Sequence, residues 1–241
     1  MTEYLFISDL HLSADRADTV RLFLHFLEGR AFRADHLYIL GDLFDAWVGD
    51  DDRRPPIPDV KRALRQLSRG GTRLWLMHGN RDFLIGETFC RESGVELLTD
   101  PTLIDLYGTP TLLMHGDLLC TDDQAYLTFR REIRHPAFVQ RFLAQPIQQR
   151  IALAKAYRVR SGEANSLKSE AIMDVNQQAV ERYLIEHQAE RLIHGHTHRA
   201  ADHPFSLAER AVSRHVLAQW QGKRAEIISV TPKGLRREAV N

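Results

Sequence analysis

The chain has 241 residues, 44% hydrophobic and 27% charged, with 32 basic and 32 acidic side chains and a formal net charge of zero. That size and apolar content suit one substantial globular domain, with room for an inserted subdomain, rather than two independent domains. Zero net charge argues against a general nucleic-acid binder, which carries a basic excess, and no apolar run approaches the roughly 18 residues of a membrane span.

In chain order, Tyr4 to Ile7 is a short apolar run that ends in polar residues, as a buried strand feeding a loop does. Val20, Phe23, Leu24 and Leu27 recur at i, i+3, i+4 and i+7, which predicts a helix with one apolar face. His36 to Leu40 reads as the next strand and stops at Gly41-Asp42; Val60, Leu64 and Leu67 mark a second helix, closed by Gly70-Gly71. Thr72 to Met77 is a strand stopping at His78-Gly79-Asn80. This β-α-β-α-β rhythm predicts a layered α/β domain. Leu103 to Tyr107 and Thr111 to Met114 flank Gly108-Thr109-Pro110, a hairpin signal. From Asp122 to about Val180 the pattern is helical, broken by Pro136 and Pro146. Strand character resumes at Arg191 to His194 and returns in the tail from Val212 to Val240.

Within the helical stretch, Arg130, Arg131, Arg134, Arg141, Arg150, Lys155, Arg158, Arg160 and Lys168 face only Glu132 and Glu163 in charge. A cationic segment inside a neutral protein needs an explanation, and a membrane surface is one. Cys90 and Cys120 form neither a disulfide framework nor a metal-binding pair. With no leader segment, a cytoplasmic location is expected.

Five short motifs share one grammar, an apolar run followed by a tight polar turn: Asp9-Leu10-His11, Gly41-Asp42, Gly79-Asn80-Arg81-Asp82, His115-Gly116-Asp117 and Gly195-His196-Thr197-His198. Ligands placed where strands end converge at one edge of a sheet. Carboxylate, amide and imidazole donors without thiolate suit Mn²⁺, Fe²⁺ or Zn²⁺ in a reactive site. In an extended Asp9-Leu10-His11, alternate residues point the same way and reach one ion; the same spacing recurs in His196-Thr197-His198. Asp42 has two oxygens with which to bridge two ions, and Asn80 and His115 would complete the ligands of the second ion. Two ions about 3.5–4 Å apart orient a phosphate and stabilise both attacking and leaving oxygens. His78 and His194 stand beside the motifs as supports of the ligands or as purely structural residues.

The series resembles the calcineurin-like metallophosphoesterases, whose pattern is D-x-H, G-D, G-N-H-[DE], H and G-H-x-H. One departure stands out: Arg81 occupies the place of the family's histidine in the third motif. The strings from Gly41 to Asp51, His78 to Gly86, His115 to Asp123, Ala171 to Val175 and His194 to Arg199 are similar to the UDP-2,3-diacylglucosamine pyrophosphohydrolase branch of lipid A synthesis. The resemblance covers nearly the whole chain and weakens after about His203.

The resemblance implies an α/β fold, a two-sheet αββα sandwich, with the core at 1–121 and 181–241 and a helical insertion at 122–180 forming a lid. It implies a monomer, peripheral to the cytoplasmic face of the inner membrane, with two Mn²⁺ ions. One ion would take Asp9, His11, Asp42 and His198, the other Asp42, Asn80, His115 and His196. The substrate, a UDP-linked diacylated glucosamine, would contact Asn80, Arg81, Asp123, Ser161, Asn165, Lys168 and His196. Water attack at the α-phosphorus would give UMP and 2,3-diacylglucosamine 1-phosphate. Arg81 and the seven metal ligands are expected to carry the catalysis. Arg81 offers a permanently charged donor fork to phosphate oxygens, in place of a protonated histidine. Phe138, Phe142, Leu143, Ile147, Ile151 and Leu153 supply apolar surface for acyl chains. Another Mn-dependent nucleotide or phosphodiester hydrolase, or a non-catalytic module on this scaffold, are the alternatives.

Overall fold

The computed structural model describes residues 1–166, 174–222 and 224–240, and the side chains of all of these except 160–166. Two sheets stack face to face with helices outside both. In the first, β1 (Tyr4–Ile7), β2 (His36–Leu40), β3 (Arg73–Met77) and β4 (Val95–Leu98) run parallel in sequence order. The antiparallel pair β10 (Ala225–Thr231) and β11 (Gly234–Val240) joins beside β1. The connections between the parallel strands carry α1 (Ala17–Glu28), α2 (Ile57–Arg69) and α3 (Glu87–Ser93). The second sheet has the order β5 (Thr102–Leu106), β6 (Thr109–Met114), β7 (Arg191–His194), β9 (Arg210–Val216), β8 (Ala201–Leu207).

The strands read as continuous apolar runs because both faces are covered. Leu5 and Ile7 point at the helices, where Phe23, Phe26, Val60, Leu64 and Trp220 bury them; Phe6 points at the other sheet, with Tyr38, Leu40, Leu113 and Ile193. A third cluster puts Leu112, Met114 and Leu192 against Val180 and Leu184 of α7 (Gln177–Glu186). The αββα sandwich therefore forms around an inter-sheet core and two helix–sheet layers. Between β6 and α7 lie α4 (Gln124–Ile133), α5 (Pro136–Leu143) and α6 (Ile147–Ser166). Pro136 opens α5, where a missing N–H costs nothing, and Pro146 precedes α6. α7 crosses residue 180, and its packing belongs to the second sheet.

Two turns differ from expectation. The β5–β6 hairpin turns at Tyr107 and Gly108, both with positive φ (57° and 82°), and Thr109 and Pro110 already pair in β6. That handedness matches the strand twist. The β8–β9 hairpin turns at Ala208 and Glu209, again with positive φ (48° and 64°). Neither residue signals such a turn, so β8 was not apparent in the sequence.

Candidate metal centre

The parallel strands β1, β2, β3, β6 and β7 all release their chain at one edge, and the five motifs occupy the loops that follow. Five of the seven expected ligands hold positive φ: Asp9 55°, His11 49°, Asp42 54°, His196 70° and His198 58°. Such backbone is sparsely populated for residues with a Cβ and clusters at functional sites. The Asp9–His11 segment is therefore not extended, and the alternation argument for it fails. The same strain separates His196 from His198, which point to different groups.

In the first group, His11 Nε2 and His198 Nε2 lie 3.2 Å apart, and Asp9 Oδ1 is 3.3 Å from His198 Nε2 and 4.0 Å from His11 Nε2. In the second, Asn80 Oδ1 lies 3.0 Å from His115 Nε2 and 3.1 Å from His196 Nδ1. Asp42 stands between them, with Oδ2 at 3.8 Å from His11 Nδ1 and Oδ1 at 3.9 Å from His115 Nε2. Donors about 2.1 Å from one ion stand roughly 3.0–3.4 Å from each other, which matches His11–His198, Asp9–His198, Asn80–His115 and Asn80–His196, while Asp9–His11 is wider.

Three further observations fit a cation. Asp9 Oδ2 accepts from Ser8 Oγ at 2.5 Å and from the His196 amide at 2.9 Å, while the buried Oδ1 has no hydrogen-bond partner among the described residues. His115 Nδ1 donates to Leu40 O at 2.9 Å, which turns Nε2 to the group; against burial, the carboxylates of Asp42, Asp117 and Asp9 push His115 up to about 9, so an ion at Nε2 would take the place of a proton. Burial, together with the charges of Asp82 and Asp9 and against that of His115, pushes Asp42 up to about 7. Burial pushes His11 down to about 3 and His196 to about 4, so both are neutral donors.

The supporting contacts come from residues outside the expected ligand set. Asp82, fully buried, accepts from the amides of Leu43 (2.7 Å), Gly79 (2.8 Å), Asp42 (3.3 Å) and Phe44 (3.4 Å). It thereby binds the second and third motif loops together. In the sequence it is the acidic residue that closes the third motif. His78 Nε2 bonds Ile85 O at 2.8 Å, and His194 Nδ1 bonds Gly195 O at 2.8 Å, so both shape loops. Arg81 is half-buried; its amide donates to Asp42 Oδ1 at 2.8 Å, and its charge helps hold His11 low. Asp123 is buried and caps α4 through the Tyr126 amide at 3.0 Å. Ser161 and Asn165 fall where the helix backbone alone is described, and Lys168 and the Ala171–Met173 string lie outside the described residues.

Part of the basic run turns inward. Arg130 Nε donates to Asp117 at 2.6 Å, Arg134 Nη2 to Gly79 O at 2.8 Å, and Arg150 Nη1 to Val48 O at 2.5 Å; Arg158 pairs with Asp45. These arginines fasten the insertion to the motif loops, an explanation that does not need a membrane. The insertion's apolar residues gather partly in an aromatic group: Phe138 lies 6.2 Å from Phe142 and 6.5 Å from Tyr157, which lies 5.6 Å from Phe129. No described helix is long and apolar enough to cross a membrane.

The sequence profile of the calcineurin-like phosphoesterases matches residues 3–200. The chain is 49% identical over 216 residues to a UDP-2,3-diacylglucosamine hydrolase of Serratia proteamaculans, covering 90% of each chain. It is 50% identical over 225 residues to one of Pseudomonas aeruginosa, covering 92% of this chain and 94% of that one. Among solved structures, an archaeal phosphodiesterase aligns over 99% of both chains with a TM-score of 0.48 and 10% identity.

Proposed function

Because this chain belongs to the calcineurin-like phosphoesterase family and shares half its residues with UDP-2,3-diacylglucosamine hydrolases, we propose that it hydrolyses the pyrophosphate bond of UDP-2,3-diacylglucosamine in lipid A biosynthesis. The observation that carries the reading is the convergence of Asp9, His11, Asp42, Asn80, His115, His196 and His198 from five loops, with Asp9 Oδ1 buried and unpartnered.

Two divalent ions, Mn²⁺ in this reading, would supply Lewis acidity for water and for the charge on the phosphorus oxygens when bound. Asp9, His11 and His198 would hold one ion and Asn80, His115 and His196 the other, with Asp42 between the two groups. Neutral His11 and His196 keep their lone pairs available. The Arg81 guanidinium faces the diphosphate and stabilises charge on the phosphorus oxygens without titrating. Attack at the α-phosphorus places the oxygen of water in UMP, so the group that leaves is the acylated sugar 1-phosphate. A phosphate leaves with less protonation than an alkoxide, which accounts for the loss of the family's histidine. The helical insertion is the lid, its aromatic group taking acyl chains, with Asp123, Ser161, Asn165 and Lys168 among the substrate contacts. Peripheral contact with the membrane follows from the acylated substrate rather than from the basic run.

The test is turnover of UDP-2,3-diacylglucosamine by the purified protein with Mn²⁺ in ¹⁸O-enriched water. Label in UMP supports attack at the α-phosphorus; label in the sugar phosphate overturns that step, and no turnover overturns the substrate assignment.

A further inference from the structure

Asn80 presents one oxygen to two histidines, and its flanking backbone is held on both sides. The peptide after it is held where the Arg81 amide donates to Asp42 Oδ1 at 2.8 Å. The peptide before it carries the Gly79 carbonyl, which accepts from Arg134 Nη2 at 2.8 Å. The amide of the same Gly79 donates to Asp82 Oδ1 at 2.8 Å. A peptide unit is planar, so fixing the direction of the Gly79 carbonyl fixes where the Asn80 Cα stands. Holding both flanking planes leaves the side chain little freedom to leave the space between His115 Nε2 and His196 Nδ1.

Arg134 does not belong to the sandwich. It is the C-cap residue of α4, in the insertion. Its own placement is determined by three neighbours: the guanidinium lies 5.1 Å over the Phe83 ring, Nη2 stands 3.9 Å from Asp117 Oδ2, and the Gly79 carbonyl closes the set. Asp117 is fully buried, two residues after His115, and also accepts from Arg130 Nε and Tyr126 Oη, each at 2.6 Å. The first turns of the insertion are thus attached to the loops of the third and fourth motifs through one buried carboxylate and one backbone carbonyl.

We infer that Arg134 is a positioning residue of the second metal group: its hydrogen bond to the Gly79 carbonyl holds Asn80 Oδ1 between His115 and His196. The inference rests on the reading that Asn80, His115, His196 and Asp42 hold the second ion. It makes occupancy of that site depend on the insertion as well as on the sandwich. Supporting groups of this kind change metal affinity by roughly 10–100-fold when removed.

The experiment titrates the full-length, metal-stripped protein with Mn²⁺ and follows the free ion by its electron paramagnetic resonance signal. Wild type is expected to take up two ions per chain. Arg134→Met is expected to keep one ion at wild-type affinity and to bind the other at least about tenfold more weakly. Arg134→Lys, which retains a charged donor without the planar fork, is expected to recover most of that loss. Should Arg134→Met not fold, Arg134→Gln replaces it, because its side chain ends two bonds short of the guanidinium nitrogens. Two ions bound by the Met or Gln variant with wild-type affinity overturn the role of Arg134 and leave the two-ion reading standing. A single ion in wild type overturns that reading, and this inference with it.

Discussion

A Cβ on Gly79 would stand 2.1 Å from Asp42 Oδ1. The third motif loop passes so close to the Asp42 carboxylate that only a residue without a side chain fits, and the carboxylate is itself buried and cannot yield. Gly79→Ala is therefore expected to displace Asp42 or Asn80 by a large fraction of an ångström. Misplacement on that scale lowers turnover by about 100-fold, and weakened Mn²⁺ uptake should accompany the loss. Near-normal turnover in steady-state assays would contradict the geometry.

Asp82 accepts from four backbone amides with one buried carboxylate. Asn at that position keeps the shape but replaces an accepting oxygen with an NH₂ that faces donors. A buried donor left without a partner costs about 1–3 kcal/mol, so Asp82→Asn is expected to lower the unfolding midpoint by roughly 3–10 °C. Differential scanning calorimetry of the metal-free protein separates this effect from metal binding.

Arg81 is expected to act on the reaction rather than on the metal. Arg81→Met leaves the backbone bond to Asp42 in place and should retain Mn²⁺ stoichiometry, while kcat falls by about 100–1,000-fold. Loss of an ion in this variant, measured by elemental analysis, would instead make Arg81 a support for the ligands.

Arg150 fastens α6 to the loop after the second motif. It is buried, donates to Val48 O at 2.5 Å, to Gln145 O at 2.9 Å and to Asp51 Oδ1 at 2.8 Å, and fills the space beside Gly49, whose φ is 134°. Arg150→Met leaves these acceptors without their donor, and limited proteolysis between α5 and α6 is expected to quicken several-fold. Unchanged cleavage would show that the remaining contacts of the insertion suffice.

Asp100 predicts a pH dependence. Neither of its buried carboxyl oxygens has a partner among the described residues. Burial, with the nearby charge of Asp117, pushes it up from 3.8 to about 6. A folded pKa above the unfolded one means that the protonated group's contribution is present below about pH 4 and is lost as the pH rises through 6. Asp100→Asn should therefore exceed wild type in stability by about 3 kcal/mol near neutral pH, with the gap closing by about pH 4. Thermal unfolding of the metal-free proteins across that range measures it, and a gap that is constant with pH would be incompatible with the assignment.

Much of this protein was determined locally and so could be read from its sequence. A strand buried on both faces must be apolar throughout, and a helix on a sheet must repeat its apolar residues every turn. β1, β2, β3, β7, α1 and α2 were therefore visible, and so were the polar turns that end the strands. The donor types in those turns limited the ions to divalent metals without thiolate. Which donors stand together was decided only in three dimensions. Asp9, His11, His196 and His198 adopt left-handed backbone that their own sequence does not favour, so their directions depend on loops packed against other loops. The same holds for the insertion: Arg134 and Arg150 find their partners in the carbonyls of Gly79 and Val48, and a backbone carbonyl carries no sequence signature. Composition placed a cationic segment beside the site; only the tertiary structure turned its arginines inward, because a buried carbonyl or carboxylate needs a donor wherever the chain brings one within reach.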